Sequence, residues 1–154
     1  MSKRKNGFTI IELLVYIAIL AFLIGGGVAS AFAVLDFSEQ NKADINIQAE
    51  GQFLVRKIEW ALTDVAPGGI TILAPGVLET QKNGVGTVVI DVDASGRARI
   101  SVAGGSQLEI TNDRVQVQNL LFDHIPPAGT KPEAIHAIFD INGVNFSTTR
   151  YLRK

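Results

Sequence analysis

One carboxylate in this chain stands where a carboxylate is costly. Glu12 lies at the start of an apolar run, and the 23 residues that follow it, Leu13 to Leu35, carry no charge. A run of that length is enough to cross a bilayer as a helix. An ionisable residue inside such a run costs a few kcal/mol and points to a function with a partner. Three cations, Lys3, Arg4 and Lys5, precede it within the first seven residues. By the positive-inside rule they hold the N-terminus on the cytoplasmic side while the apolar run carries the rest of the chain across. Glu12 sits four residues after Phe8, about 6 Å along a helix axis, close to the interface where water lowers the cost of its charge. A helix start also favours an anion, and a carboxylate in an apolar setting calls for a cation.

The stretch Gly7-Phe8-Thr9-Ile10-Ile11-Glu12, with a basic leader before it and a hydrophobic helix after it, resembles the N-terminus of type IV pilins and pseudopilins. Leader charge, the Gly-Phe junction, the glutamate offset and the helix length all agree, over about the first 40 residues. The resemblance implies that a membrane-embedded prepilin peptidase cuts between Gly7 and Phe8 and methylates the new amino group of Phe8. It implies that Glu12 makes an assembly charge contact with the N-terminal amine of a neighbouring subunit. Cleavage would remove the leader cations Lys3, Arg4 and Lys5 and no anion, taking the formal charge from −1 to −4. The implied product is a structural subunit, a minor pilin or pseudopilin, that polymerises through its helix into a type IV pilus or a type II secretion pseudopilus. Its partners would be the peptidase, other pilin or pseudopilin subunits, the inner-membrane assembly platform and the bilayer. Its head would lie outside the cytoplasm on a single inner-membrane span.

Four other readings compete. An ordinary secretory signal fits Ala29-Ser30-Ala31 and Ala31-Phe32-Ala33 as cleavage sites, but the apolar run is longer than the usual 7–15 residues of such a signal. A plain single-pass anchor explains the run and not Gly7-Phe8-Thr9 beside the glutamate. An anchored binding module of the cell envelope, using loops between strands, is the alternative function. An anchored enzyme fits less well, because no catalytic constellation stands out. Asp91-Val92-Asp93-Ala94-Ser95-Gly96 resembles the start of a calcium loop, yet the twelfth position is Val102 in place of the bidentate glutamate. His124 and His136 lack metal-ligand spacing. Ser101, Ser106 and Ser147 lie outside any Gly-x-Ser-x-Gly context. No cysteine is present. No cofactor or metal is expected, and a net charge of −1 gives no bulk attraction for nucleic acid.

The elements that must carry the motif follow from periodicity. Gly25-Gly26-Gly27 interrupts the apolar helix, and Gly25/Ala29, Gly26/Ser30 and Gly27/Ala31 repeat small residues at a spacing that lets helices approach closely. Each glycine also weakens a helix by about 1 kcal/mol, so the triplet reads either as a packing face or as a site of loosening. Beyond the apolar run, Ile47, Leu54, Ile58, Ala61 and Val65 form an amphipathic stripe, and Pro67-Gly68-Gly69 should end the helix. Trp60 is expected at the rim of the core. Strands are expected over 69–73, 87–92, 97–102, 107–110, 115–122, 134–141 and 144–152. Asp93–Gly96 and Asn142-Gly143 read as hairpin turns, and 124–132 as a loop. The fold class is therefore α+β, a long N-terminal helix packed on a small antiparallel sheet. The divisions are a leader over 1–7, a transmembrane and polymerisation helix over 8–35, an amphipathic helix over 36–66 and a β-rich head over 67–154.

Overall fold

With no proline before position 67, nothing stops a helix from running far. In the computed structural model, which describes residues 9–152 apart from the side chains of Gln40, Ala66 and Pro67, it runs as a single helix α1, Ile10–Ala61. Its first turn is capped by Thr9: Oγ1 accepts the Glu12 N–H at 3.3 Å and the carbonyl accepts the Leu13 N–H at 3.2 Å. Thr9-Ile10-Ile11-Glu12 thus occupies the positions of a capping box, a threonine followed three residues on by a glutamate. The triplet Gly25–Gly27 stays helical, and Ser30 Oγ donates to the Gly26 carbonyl at 2.8 Å.

The chain separates into two compact units, Met1–Asp44 and Ile45–Lys154. In the first, every described residue up to Phe37 is exposed, with Ile10 and Phe22 both 81% accessible. Among the described residues, α1 is one helix long and apolar enough to cross a membrane. A helix that is apolar all round is stable only when something covers it.

In the second unit, α1 ends earlier than Pro67 suggests. The helix closes at Ala61, Asp64 turns with a φ of 54°, and Val65 opens a strand instead of extending the stripe. The reason lies in the partner strand. Thr80 Oγ1 donates to the Ala61 carbonyl at 3.1 Å, and the Lys82 ammonium donates to the carbonyls of Trp60 and Thr63. The orphan carbonyls of the last turn are thereby satisfied from outside the helix.

Among the described residues eight strands follow: β1 Val65–Ala74, β2 Val77–Lys82, β3 Gly86–Val92, β4 Ala98–Val102, β5 Leu108–Glu109, β6 Val117–Ile125, β7 Ala134–Ile141 and β8 Val144–Tyr151. They form two antiparallel meanders in place of one small sheet, β1-β2-β3-β4-β5 and β6-β7-β8. The α+β class holds. β2 was not among the expected strands. The expected strand over 107–110 shrinks to two residues, and His124 belongs to β6, not to the following loop. Asn142 and Gly143, with φ of 48° and 85°, make the tight β7–β8 turn, a geometry that favours this residue pair. Gly76 turns β1 into β2, and a Cβ there would meet the Leu120 carbonyl oxygen at 2.7 Å.

The core sits between the second half of α1 and the sheets. Leu54, Ile58 and Ala61 face it from the helix and Leu62 from the turn that follows, with Ile47 and Val55 partly buried beside them. Leu78, Ile90 and Ile100 form one cross-strand row of the first sheet, each paired to the next. From the second sheet come Phe122, Ile135, Ala137, Phe139, Ile141 and Phe146. The rings of Phe139 and Phe146 stack at 5.5 Å. Trp60 is 39% exposed at the edge of this core.

Candidate functional site

The chemistry-bearing residues of the sequence fall into two places. Lys3, Arg4, Lys5, Gly7 and Phe8 lie outside the described residues. Glu12 is described. It stands at the third position of α1, exposed, with its backbone N–H held by Thr9 and its Oε1 3.5 Å from the Tyr16 hydroxyl one turn on. The helix N-terminus supplies the partial positive charge that a carboxylate favours. Among the described residues no cation lies within ion-pair distance of the carboxylate, and the first described cation along the chain is Lys42. The cap accounts for Thr9 as well as Glu12, a role visible in the threonine-to-glutamate spacing.

Along the same helix, Gly25, Gly26 and Gly27 leave an open notch, since a Cβ at any of them would meet nothing within 4 Å. Small residues recurring at this spacing suit close approach by a second helix.

In the head, polar groups pair among themselves. Asp91 receives two hydrogen bonds from Arg99, at 2.9 and 2.7 Å, and this raises the guanidinium further above its usual range. Asp93 accepts the backbone N–H groups of Ser95 and Arg97 at 2.8 and 2.9 Å, closing the β3–β4 turn. The Arg97 N–H holds its carboxyl below the usual range, against partial desolvation, with further help from Ser95 and the nearby guanidinium groups. Arg97 also bridges to Glu109 at 2.8 Å. The calcium-like segment is thus a hairpin whose carboxylates are engaged by an arginine and by backbone donors. Asp140 is lowered too, by the amides of Asn119 and Asn145. His124 Nε2 meets Glu133 Oε1 at 2.6 Å, and His136 Nδ1 meets Thr149 Oγ1 at 2.9 Å. Among the described residues no group of three or more His, Cys, Asp or Glu side chains could hold a metal ion.

The head gives the comparisons nothing to grip: no curated protein and no solved structure matches the chain. The N-terminus does match. The family model for the prokaryotic N-terminal methylation motif fits residues 2–28, a span that takes in the basic residues, Glu12 and the glycine triplet. That motif leads into an exposed apolar helix and a head of antiparallel sheets, so the N-terminal segment of the chain carries the prokaryotic N-terminal methylation motif.

Proposed function

We propose that the chain is a minor structural subunit, processed between Gly7 and Phe8, methylated on the Phe8 amine and built into a type IV pilus or a type II secretion pseudopilus. The observation that carries this reading is Glu12. It is an exposed carboxylate at the start of an apolar, uncharged helix, with no described cation beside it. Processing creates a cation of the right kind one helical turn away, and a neighbouring copy brings the same amine. In this reading Lys3, Arg4 and Lys5 fix the leader 1–7 on the cytoplasmic face of the inner membrane. Residues 8–35 hold the subunit in the bilayer and then in the filament, 36–66 lead into the head, and 67–154 lie outside the cytoplasm. A strand-rich head without a cysteine-closed loop favours a minor subunit over a main one. The partners are the prepilin peptidase, other subunits and the inner-membrane platform.

Mass spectrometry of the native N-terminus tests this directly. A mature chain that begins at methylated Phe8 is the expected result. A chain beginning at Phe32 or Val34 would mark an ordinary signal peptide and remove the polymerising helix altogether.

A further inference from the structure

The two sheets expose four edges, and three of them are protected. Strand edges are guarded in nature by shortness, by bulges and prolines, by charges or by cover. β1 loses its register twice, once across the stretch that contains Pro67, Gly68 and Gly69. β5 is two residues long. β6 carries a bulge between Gln118 and Leu121, where Asn119 has a φ of 54°, and its Val117 N–H is taken by the Gly96 carbonyl. β8 is eight residues long and has no bulge. It keeps unbroken register with β7 from Val144 to Tyr151 and, among the described residues, pairs with no other strand. It contains no proline, and its one charge is Arg150. The tight Asn142-Gly143 turn makes Ile141 and Val144 a hydrogen-bonded pair. The antiparallel alternation then turns the backbone groups of Asn145, Ser147 and Thr149 away from β7. All three residues are exposed.

The far end of this edge opens into a groove of about 730 Å³, formed by Thr149, Arg150, Tyr151 and Leu152 against Lys131 and its neighbours in the β6–β7 loop. The charged residues that line it, Lys131 and Arg150, are both cations. We propose that β8 is a docking edge for an extended acidic peptide of a partner protein, which adds as an antiparallel strand and places its carboxylates between Lys131 and Arg150. Backbone pairing would supply the affinity, and the two cations the direction and preference. This surface lies wholly in the head and does not depend on processing at Gly7.

The probe is a synthetic peptide, Glu-Glu-Thr-Val-Thr-Val-Thr-Val, titrated into the full chain in detergent micelles. Antiparallel pairing sets its acidic N-terminal end against the groove. Ser147→Pro removes an outward N–H while sparing the ladder to β7, a position where an edge strand tolerates proline. Methylating alternate backbone nitrogens of the peptide blocks the same bonds from the other side. Each change is expected to weaken binding about tenfold or more, and the Ser147 and Thr149 amides should exchange more slowly when the unmodified peptide is bound. The loop variant Lys131→Glu, which leaves the strand untouched, should lower affinity for the acidic peptide and raise it for a Lys-Lys version. Absence of binding, or binding indifferent to N-methylation and to charge, would overturn the proposal. So would a dimer of the full chain that disappears in Ser147→Pro, because the occupant would then be a second copy.

Discussion

Lys82 caps the C-terminal end of α1 beside Trp60. Its Nζ donates to the Trp60 carbonyl at 3.0 Å and lies 5.0 Å from the centroid of the Trp60 ring, and it also donates to the Thr63 carbonyl. The last turn of α1 contains no basic residue of its own. The cation that its dipole favours therefore comes from β2, on a side chain that is only 7% exposed.

Replacing Lys82 by methionine keeps much of the stem packing and removes the donor. The Trp60 and Thr63 carbonyls would then face a group that cannot satisfy them. We expect Lys82→Met to lower the stability of the head by about 1–3 kcal/mol, the range for a buried acceptor left unpaired. A thermal melt by circular dichroism reads this out, together with increased quenching of Trp60 fluorescence as the helix end frays. A melt unchanged from wild type would reduce Lys82 to a surface contact.

The helix face toward the sheets gives a second prediction. Leu54 is fully buried, whereas Gln52 lies on the exposed side. Leu54→Ala should cost about 2–5 kcal/mol, the usual price of a large-to-small change in a core, and Gln52→Ala should leave the melt where it was. Gly51 tests the same face by the opposite change. A Cβ there would overlap the ring of Phe146, itself stacked on Phe139. Gly51→Ala, although it raises helix propensity, is expected to destabilise by about 1–3 kcal/mol through overpacking. Equal melts for Leu54→Ala and Gln52→Ala would mean that the helix does not pack in this register.

The parts of this fold that were legible in the sequence are those where one rule acts locally. Leu54, Ile58 and Ala61 recur at helical spacing and are all buried. Asn142-Gly143 announces its turn by residue type alone. β2 escaped because its inward residues are Leu78, Thr80 and Lys82, so the strand shows no apolar alternation. Thr80 and Lys82 point inward to reach the end of α1, a contact 19 to 22 residues away in sequence. The same contact explains why α1 stops at Ala61, six residues before the first proline. The division into two sheets was hidden for a related reason: alternation identifies strands, but not which strands pair. The N-terminal motif over residues 2–28 was legible in the sequence, since basic residues, glutamate and apolar run are all close along the chain. What the sequence pattern also held, unread, was the cap that Thr9 makes for Glu12.

Acid should loosen the two turns that rest on carboxylates. Asp93 and Asp140 both have pKa values below the ordinary 3.8, the first through backbone N–H donors and the second through Asn119 and Asn145. A carboxylate with a depressed folded pKa adds stability above its unfolded value and loses it as the pH falls through the folded one. The head should therefore keep its stability from neutral pH down to about pH 4 and lose part of it below. The double variant Asp93→Asn, Asp140→Asn should melt lower than wild type at pH 7, with the gap narrowing in acid. A gap that is constant from pH 7 to pH 2.5 would show that ionisation of these two groups plays no part.

The last prediction separates two roles of Glu12. Its place three residues after Thr9 is the glutamate position of a capping box, with its backbone N–H held by Thr9 Oγ1, and its charge at the start of an uncharged helix suits a contact with a neighbour's N-terminal amine. Glutamine fills the same box without the charge. Glu12→Gln and Glu12→Ala should both stay in the membrane fraction, because removing a charge from an apolar run favours insertion. If Glu12 is an assembly contact, both variants should be depleted from sheared filaments detected by immunolabelling, and the glutamine variant should fare no better than the alanine. Thr9→Val, which breaks the cap and keeps the carboxylate, should be incorporated more fully than either. Wild-type incorporation of Glu12→Gln together with loss of Thr9→Val would reverse the assignment, leaving Glu12 as a helix cap and the neighbour's amine without its anion.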